Sequence, residues 1–269
     1  MKRIAILIGL VFIICDVFAQ GELLENDNIF YKNERTFAVV AGSNGFGLNY
    51  RYGKRLTALR KVIYDIDLAS IRHPKEIQLS SSIYLLSSRS FIFGKLNQFY
   101  SLRGGIGLQD ELFPKIDKGG ISIRRYYSFG PSLGITKPIY YNYEVIGYNT
   151  LGEAYIERTV VDKFQNYQHI QSSVISGKAS FFKGFDEISV IPGIYARLGV
   201  MFEFGKYNQT IHAIDAGILL DGFIKKVEIM DDGKDQYFFL TLFVSYRFGK
   251  VVDAKYKMKK TRLDSIVTD

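Results

Sequence analysis

The sequence is short of several residue types, and each shortage excludes a class of protein. One Cys in 269 residues excludes a disulfide scaffold and a Cys-based zinc site. Trp is absent and Pro numbers only five. The three histidines, His73, His169 and His212, do not fall at metal-ligand spacing. No internal run approaches the roughly 18 apolar residues of a membrane helix, which excludes a polytopic helical membrane protein. No phosphate-cradling loop is present: Gly42-Ser43-Asn44-Gly45-Phe46-Gly47 lacks a Lys and does not open a helix. No catalytic, cofactor-binding or metal-binding set is therefore expected.

What the chain does have is apolar and aromatic. Hydrophobic residues make up 47%, with 21 Phe, 19 Tyr and 25 Gly. That content can bury ample surface, and it suits a Gly- and aromatic-rich β protein. The start reads as a secretory signal over 1–19. Lys2 and Arg3 precede an apolar run from Ile4 to Ile14, too short for a stable anchor. Val17-Phe18-Ala19 offers a cleavage site and leaves Gln20 as the first mature residue. Cys15 raises a lipoprotein reading, but Phe12-Ile13-Ile14 lacks the small residues a lipid-attachment site wants. Cleavage after Ala19 would leave a mature chain without Cys.

After a polar lead-in over 20–35, the residues alternate with period 2. From Tyr237 on, Phe238, Leu240, Leu242, Val244, Tyr246 and Phe248 share one face; Phe239, Thr241, Phe243, Ser245 and Arg247 share the other. The same pattern recurs around Phe46–Tyr52, Val62–Ala69, Tyr100–Leu108, Ile194–Phe204 and Ile214–Leu220. One face is continuously apolar. The other carries Gly and charges of both signs. A water-soluble sandwich would show the opposite arrangement, and a transmembrane barrel would show this one.

The predicted fold is an all-β antiparallel transmembrane barrel over 36–248. Eight segments are expected, at 36–52, 59–71, 83–94, 98–109, 119–136, 188–205, 209–221 and 236–248. Each meets the about 9–11 residues needed to cross. The first and fifth are long enough to be two strands each, so 10 or 12 strands is the alternative. The even count places both ends in the periplasm. The connection 137–187 becomes a long extracellular loop, and 72–82, with His73, becomes a periplasmic turn. Within the long loop, Ile156, Val160, Phe164, Tyr167, Ile170 and Val174 fall near helical spacing, and Thr159–Asp162 could start a helix, so a short amphipathic helix is expected there.

Two features carry a resemblance. The last strand, with Leu242, Val244, Tyr246 and Phe248, resembles the C-terminal β-signal of outer-membrane barrels. The segments Gly45–Lys54 (GFGLNYRYGK), His73-Pro74-Lys75-Glu76, Lys137–Tyr141 (KPIYY), Phe181–Glu187 (FFKGFDE) and Pro192-Gly193 resemble those of small Bacteroidota outer-membrane β-barrels. That family is uncharacterised, so the resemblance implies fold and an outer-membrane location but supplies no activity. One departure is the stretch after Phe248, since in many barrels the β-signal aromatic is the last residue.

The net charge is +8. The tail over 249–269 holds Lys250, Lys255, Lys257, Lys259, Lys260 and Arg262 against Asp253, Asp264 and Asp269. In an exported barrel this basic periplasmic tail suits headgroups, peptidoglycan or an acidic partner, and not nucleic acid. By alternation, Arg51, Asp65, Asp67, Arg103, Arg124, Arg197, Glu203, Asp215 and Arg247 face the lumen. Eight strands leave an interior just filled by side chains, so these charges must pair as a plug. A narrow ion or solute path would need a wider barrel. Arg125 falls on the lipid face unless a bulge or an interfacial position relieves it. A lipid A deacylase-like enzyme would need a base at the outer rim, and only His169 is on that side, near Ser172, Ser173 and Asp162.

The function expected is structural or interactive: a non-enzymatic barrel, as an accessory subunit of an outer-membrane assembly or secretion complex. A narrow gated channel and a lipid-modifying enzyme are the alternatives. Expected partners are outer-membrane lipid and lipopolysaccharide, the outer-membrane insertion machinery, and a periplasmic or surface protein.

Overall fold

A computed structural model of the chain describes residues 32–80, 90–115, 120–152, 154–164, 173–205, 209–231 and 235–253. The expected signal segment over 1–19, most of the lead-in, His169 and the tail beyond residue 253 lie outside the described residues. The strands are β1 (Lys32–Gly42), β2 (Gly45–Arg55), β3 (Arg60–Ile71), β4 (Gln78–Ser80), β5 (Ser90–Ile92), β6 (Asn97–Phe113) and β7 (Ser122–Pro138). They continue with β8 (Tyr140–Tyr148), β9 (Ala154–Lys163), β10 (Ser173–Lys178), β11 (Ser189–Glu203), β12 (Thr210–Val227) and β13 (Gln236–Asp253).

Eight of them close an antiparallel barrel in the order β1-β13-β12-β11-β7-β6-β3-β2. Barrel neighbours are neighbours in sequence, and the first strand meets the last from Lys32↔Asp253 to Gly42↔Phe243. Closure leaves no unpaired strand edge. The end carrying the start of β1 and the finish of β13 is here the terminal rim, and the opposite end the cap rim.

The expected eight strands are present, but they are not the eight expected segments. The segment 36–52 is two strands. The chain reverses at Ser43-Asn44, with Gly42 opposite Gly45. Gly45 sits at φ +152, and a Cβ there would lie 1.9 Å from the Ser70 carbonyl oxygen of β3, so this tight turn admits only glycine. Ser43 N donates to Leu242 O at 2.8 Å, and Thr241 Oγ1 donates to Asn44 Oδ1 at 2.7 Å, which ties the turn to β13. The described part of the segment 83–94 is not in the barrel: Ser90–Ile92 pairs with Gln78–Ser80 in a two-stranded sheet, and 83–89 lie outside the described residues. One strand too few at the start and one too many after it cancel in the count. They reverse the assigned direction of 59–71, however, so the connection after β3, with His73, lies at the cap rim and not beside the termini.

The fifth segment is the single strand β7, so the alternative of 10 or 12 strands falls. The lead-in and tail bounds also shift, because β1 begins at Lys32 and β13 runs to Asp253.

The expected helix is absent among the described residues. Ile156 and Val160 belong to β9 and Val174 to β10, while Tyr167 and Ile170 lie outside the described residues. β10-β8-β9 form a three-stranded sheet at the cap rim. Its core is Phe91, Ile139, Tyr141, Tyr143, Phe164 and Ile175. The Tyr141 hydroxyl lies 2.8 Å from Ile92 O and 2.7 Å from Lys95 O, joining this sheet to the β5–β6 connection. Leu96 N donates to Ile229 O and Asp231 N to Gly94 O, which brings in the β12–β13 connection as well.

The wall explains why the sequence folds this way. Outward residues of β13, from Phe238 at 69% exposure to Phe248 at 44%, are all apolar or aromatic. Ten residue steps of strand cover about 33 Å. At a tilt of roughly 35–45° that becomes about 25 Å, the height of the apolar band of a membrane barrel. Near the terminal rim the band ends in aromatics: Phe37 packs on Tyr50 at 4.9 Å and on Phe248 at 6.3 Å, and Tyr52 stacks on Tyr64. Just beyond lie Arg60 and Arg125, both paired with Asp110. Arg125 therefore needs no bulge, and its register with Asp110 and Val200 is unbroken.

Candidate functional site

Two regions concentrate polar chemistry: the lumen, and a crevice under the cap. In the lumen, alternation on eight strands turns the charged residues inward, and Asp215 and Asp221 reach 0% exposure. They form two linked groups. In the first, Arg103 holds Asp221 through two parallel bonds of 2.7 Å and also reaches Asp67, whose other oxygen accepts from Arg197 Nη2 at 2.7 Å. In the second, Arg51 donates to Asp65 at 2.7 Å and Arg247 to Asp215 at 2.8 Å. Arg247 Nη1 donates to Thr36 Oγ1 and Nη2 to Asn49 Oδ1. The Arg51 guanidinium lies 4.0 Å from the Tyr126 ring centroid. Gly199 makes room for that ring, since a Cβ there would meet it at 2.7 Å. Four arginines thus meet four aspartates, which leaves the mid-lumen neutral.

Toward the terminal rim a third group follows. Arg124 pairs with Glu34, Glu111 and Glu203. Lys61 pairs with Glu34, Lys115 with Glu203, and Arg55 with Glu111. Toward the cap rim the lumen is apolar. The rings of Phe99, Phe223 and Phe239 pack mutually at 5.3, 5.4 and 6.0 Å, among Ile71, Ile191 and Val227. Charge pairs and aromatic rings together fill the interior, as the diameter of an eight-stranded barrel requires.

All nine sequence-derived lumen residues lie buried in this network. Six charged partners escaped the reading: Asp221, Glu34, Lys61, Glu111, Arg55 and Lys115. Asp221 has the parity of Asp215 but sits at the end of the assigned segment. Glu34 fell in the lead-in, whose polarity hid a strand start. Lys61 shares the inward parity of Asp65 and Glu111 that of Arg103, while Glu111, Lys115 and Arg55 lie past the ends of the assigned segments. The β-signal residues Leu242, Val244, Tyr246 and Phe248 all face outward.

The crevice has a cavity volume of about 520 Å³. Its wall is the outward face of β2, β3 and β6, and its roof is the β4–β5 hairpin with Tyr141 and Lys178 of the cap sheet. Lys95 pairs with Glu76 at 2.6 Å, both largely buried. Arg72 lies 5.6 Å from the Phe46 ring centroid. Burial, and then the nearby Lys95 and Lys137, push the Lys178 ammonium below its ordinary pKa, with Glu76 opposing.

Elsewhere on the cap, Glu187 accepts from the Tyr140 hydroxyl at 2.7 Å and pairs with Lys163. The bond from Lys163, then that from Tyr140, holds the Glu187 carboxyl below its ordinary value.

His212 Nδ1 lies 3.0 Å from the Tyr246 hydroxyl on the outer wall, and the His73 ring accepts from Lys75 N. Among the described residues no three His, Cys, Asp or Glu side chains cluster as metal ligands.

No family model and no curated protein matches the chain. Among solved structures it resembles Ail, the attachment invasion locus protein of Yersinia pestis, in complex with the heparin analogue sucrose octasulfate. That likeness has 9% identity and TM-score 0.39, over 83% of this chain and 100% of that one. Ail alone gives 10% identity and TM-score 0.38 over the same shares. Neisserial surface protein A gives 12% and 0.31, over 83% of this chain and 96% of that one. At these identities and scores nothing about function passes from those proteins to this chain.

Proposed function

We propose that the chain is an outer-membrane β-barrel with a sealed lumen, whose work is done by the cap as an interaction surface. The observation that carries this reading is the reversal of sides: an apolar band about 25 Å tall outside, and paired charges inside. Only lipid rewards such an exterior, and only a closed barrel satisfies its backbone there. The start of β1 and the finish of β13 lie at the rim with short connections, which suits the periplasm, and the cap rim, with the long connections, then faces outward.

A charge-paired, packed lumen favours a structural or interaction role over a gated channel. The cap supplies the surface. At the β8–β9 turn, in the cap sheet and not the barrel wall, Leu151 is 83% and Tyr148 70% exposed. Apolar tips outside the barrel wall suit a protein partner. The proposal is an accessory subunit of a larger outer-membrane assembly, inserted by the outer-membrane insertion machinery, with lipopolysaccharide around its outer half.

Gentle extraction of outer membranes followed by native electrophoresis tests this. The wild type is expected in the outer-membrane fraction, heat-modifiable, and in a species larger than the monomer that collapses on Leu151→Ser with Tyr148→Ser. Migration as a monomer from native membranes contradicts the interaction role. Recovery outside the outer membrane contradicts the location.

A further inference from the structure

The crevice under the cap has a composition unlike that of the lumen. Its lower wall is lipid-facing barrel surface: Phe46, Leu48, Leu68 and Tyr100. Outward exposure of Phe46 and Leu48 stays near 60% despite the roof above them, so the crevice is continuous with the apolar band. Among the described residues lining it, its upper part carries Arg72, Lys95 and Lys178 against one carboxylate, Glu76. Glu76 is committed to Lys95, so the positive charge of Arg72 and Lys178 is uncompensated in the crevice. Burial and two neighbouring lysines make the charged form of Lys178 costly as it stands. An anion placed among these groups would remove that cost.

The volume of about 520 Å³ falls within the range of ordinary small-molecule sites, roughly 300–1,000 Å³. The chemistry is split by height. Apolar wall lies toward the membrane, and cations lie at the level of the cap. A ligand that fits must be apolar below and multiply anionic above. On the outward side of the barrel, that describes a phosphorylated acyl glycolipid seated in the outer leaflet.

We infer that this crevice binds one phosphorylated glycolipid of the outer leaflet, with acyl chains along Phe46, Leu48 and Leu68 and a phosphate between Arg72 and Lys178. The inference rests on the assignment of the cap rim to the outside. Arginine and lysine are the usual phosphate partners, one through paired donors and the other as a point charge. The Arg72 guanidinium, stacked near the Phe46 ring, is placed where headgroup gives way to chain.

The test is native mass spectrometry of the full mature chain, refolded and released from bilayers. Four probes are compared: diphosphorylated lipid A, the same lipid without phosphates, phosphatidylethanolamine, and inorganic phosphate. One diphosphorylated lipid A is expected to stay bound, with the phosphate-free lipid retained about tenfold less. Arg72→Gln with Lys178→Gln is expected to lower retention by about tenfold or more, while Lys54→Gln, on the wall near the other rim, leaves it unchanged. Lys178→Arg keeps the charge and is expected to keep binding. Heat-modifiable migration checks that each variant folds.

Equal retention by the double variant overturns the inference, as does equal retention of the phosphate-free lipid. Displacement by millimolar inorganic phosphate would mark an anion site without a lipid and also overturns it. Failure of the wild type to insert into bilayers would instead remove the membrane reading beneath it, so the two failures are distinguishable.

Discussion

The lumen and the crevice use the same residue types to opposite ends. In the mid-lumen, Arg51, Arg103, Arg197 and Arg247 face Asp65, Asp67, Asp215 and Asp221, and every guanidinium has a carboxylate. In the crevice, among the described residues that line it, Arg72, Lys95 and Lys178 face one carboxylate, Glu76. A buried charge without a partner is far costlier than one within a pair. A protein can hold the first arrangement permanently. The second leaves cations that favour an arriving anion. Balance marks a structural interior, and imbalance beside an apolar wall marks a surface that faces something else.

The sharpest way to break this contrast is to unbalance the lumen. Asp67 accepts from both Arg103 and Arg197. Asp67→Ala is expected to destabilise the barrel by about 3–5 kcal/mol, because two buried guanidinium groups lose a partner. Urea unfolding followed by loss of heat-modifiable migration measures it. A cost below about 1 kcal/mol would mean that the lumen is solvated rather than sealed.

A second experiment separates the pair from its members. Arg247→Met and Asp215→Asn are each expected to cost more than half of what the double variant costs. The coupling energy should fall in the range of about 1–3 kcal/mol. Additivity would show that the two charges do not need each other.

The β1–β2 turn gives a smaller effect. Gly45→Val is expected to cost about 1–3 kcal/mol, since the side chain meets the Ser70 carbonyl and the backbone sits at positive φ. Asn44→Gly, one residue earlier, loses only the bond from Thr241 and should cost about 0.5–1.5 kcal/mol by the same unfolding assay.

The barrel was readable in the sequence because lipid imposes a strict alternation. Phe238 to Phe248 and Ile194 to Phe204 gave the faces without ambiguity. The first hairpin was misread although its signal was present: Gly42-Ser43-Asn44-Gly45 is turn chemistry, but apolar residues on both sides made 36–52 look continuous. The cap was misread for a different reason. Ile156, Val160 and Phe164 are four residues apart, and that spacing satisfies a strand of period 2 as well as a helix. Thr159, Val160 and Val161 are β-branched, which favours the strand. Pairing partners such as Asp221 follow from parity once the strand is drawn long enough. The crevice could not be read at all, because its roof and wall, around Lys178 and Phe46, are more than a hundred residues apart.

The smallest effect belongs to the cap's own ion pair. Glu187 is held below its ordinary carboxylate value by Lys163 and Tyr140. A depressed folded pKa stabilises above the unfolded value, and that contribution is lost as pH falls through the folded one. A carboxyl NMR titration should place the Glu187 midpoint below 4.5, and Lys163→Met should raise it. A midpoint at or above 4.5 would show that the contact does not persist in solution.

The central claim is a sealed lumen, and planar-bilayer conductance tests it most directly. The folded, inserted wild type should stay silent at high salt and high voltage, and should remain silent when residues 149–152 of the cap are replaced by Gly-Ser. Steady openings that scale with salt concentration would contradict the charge-paired plug and return the protein to the channels.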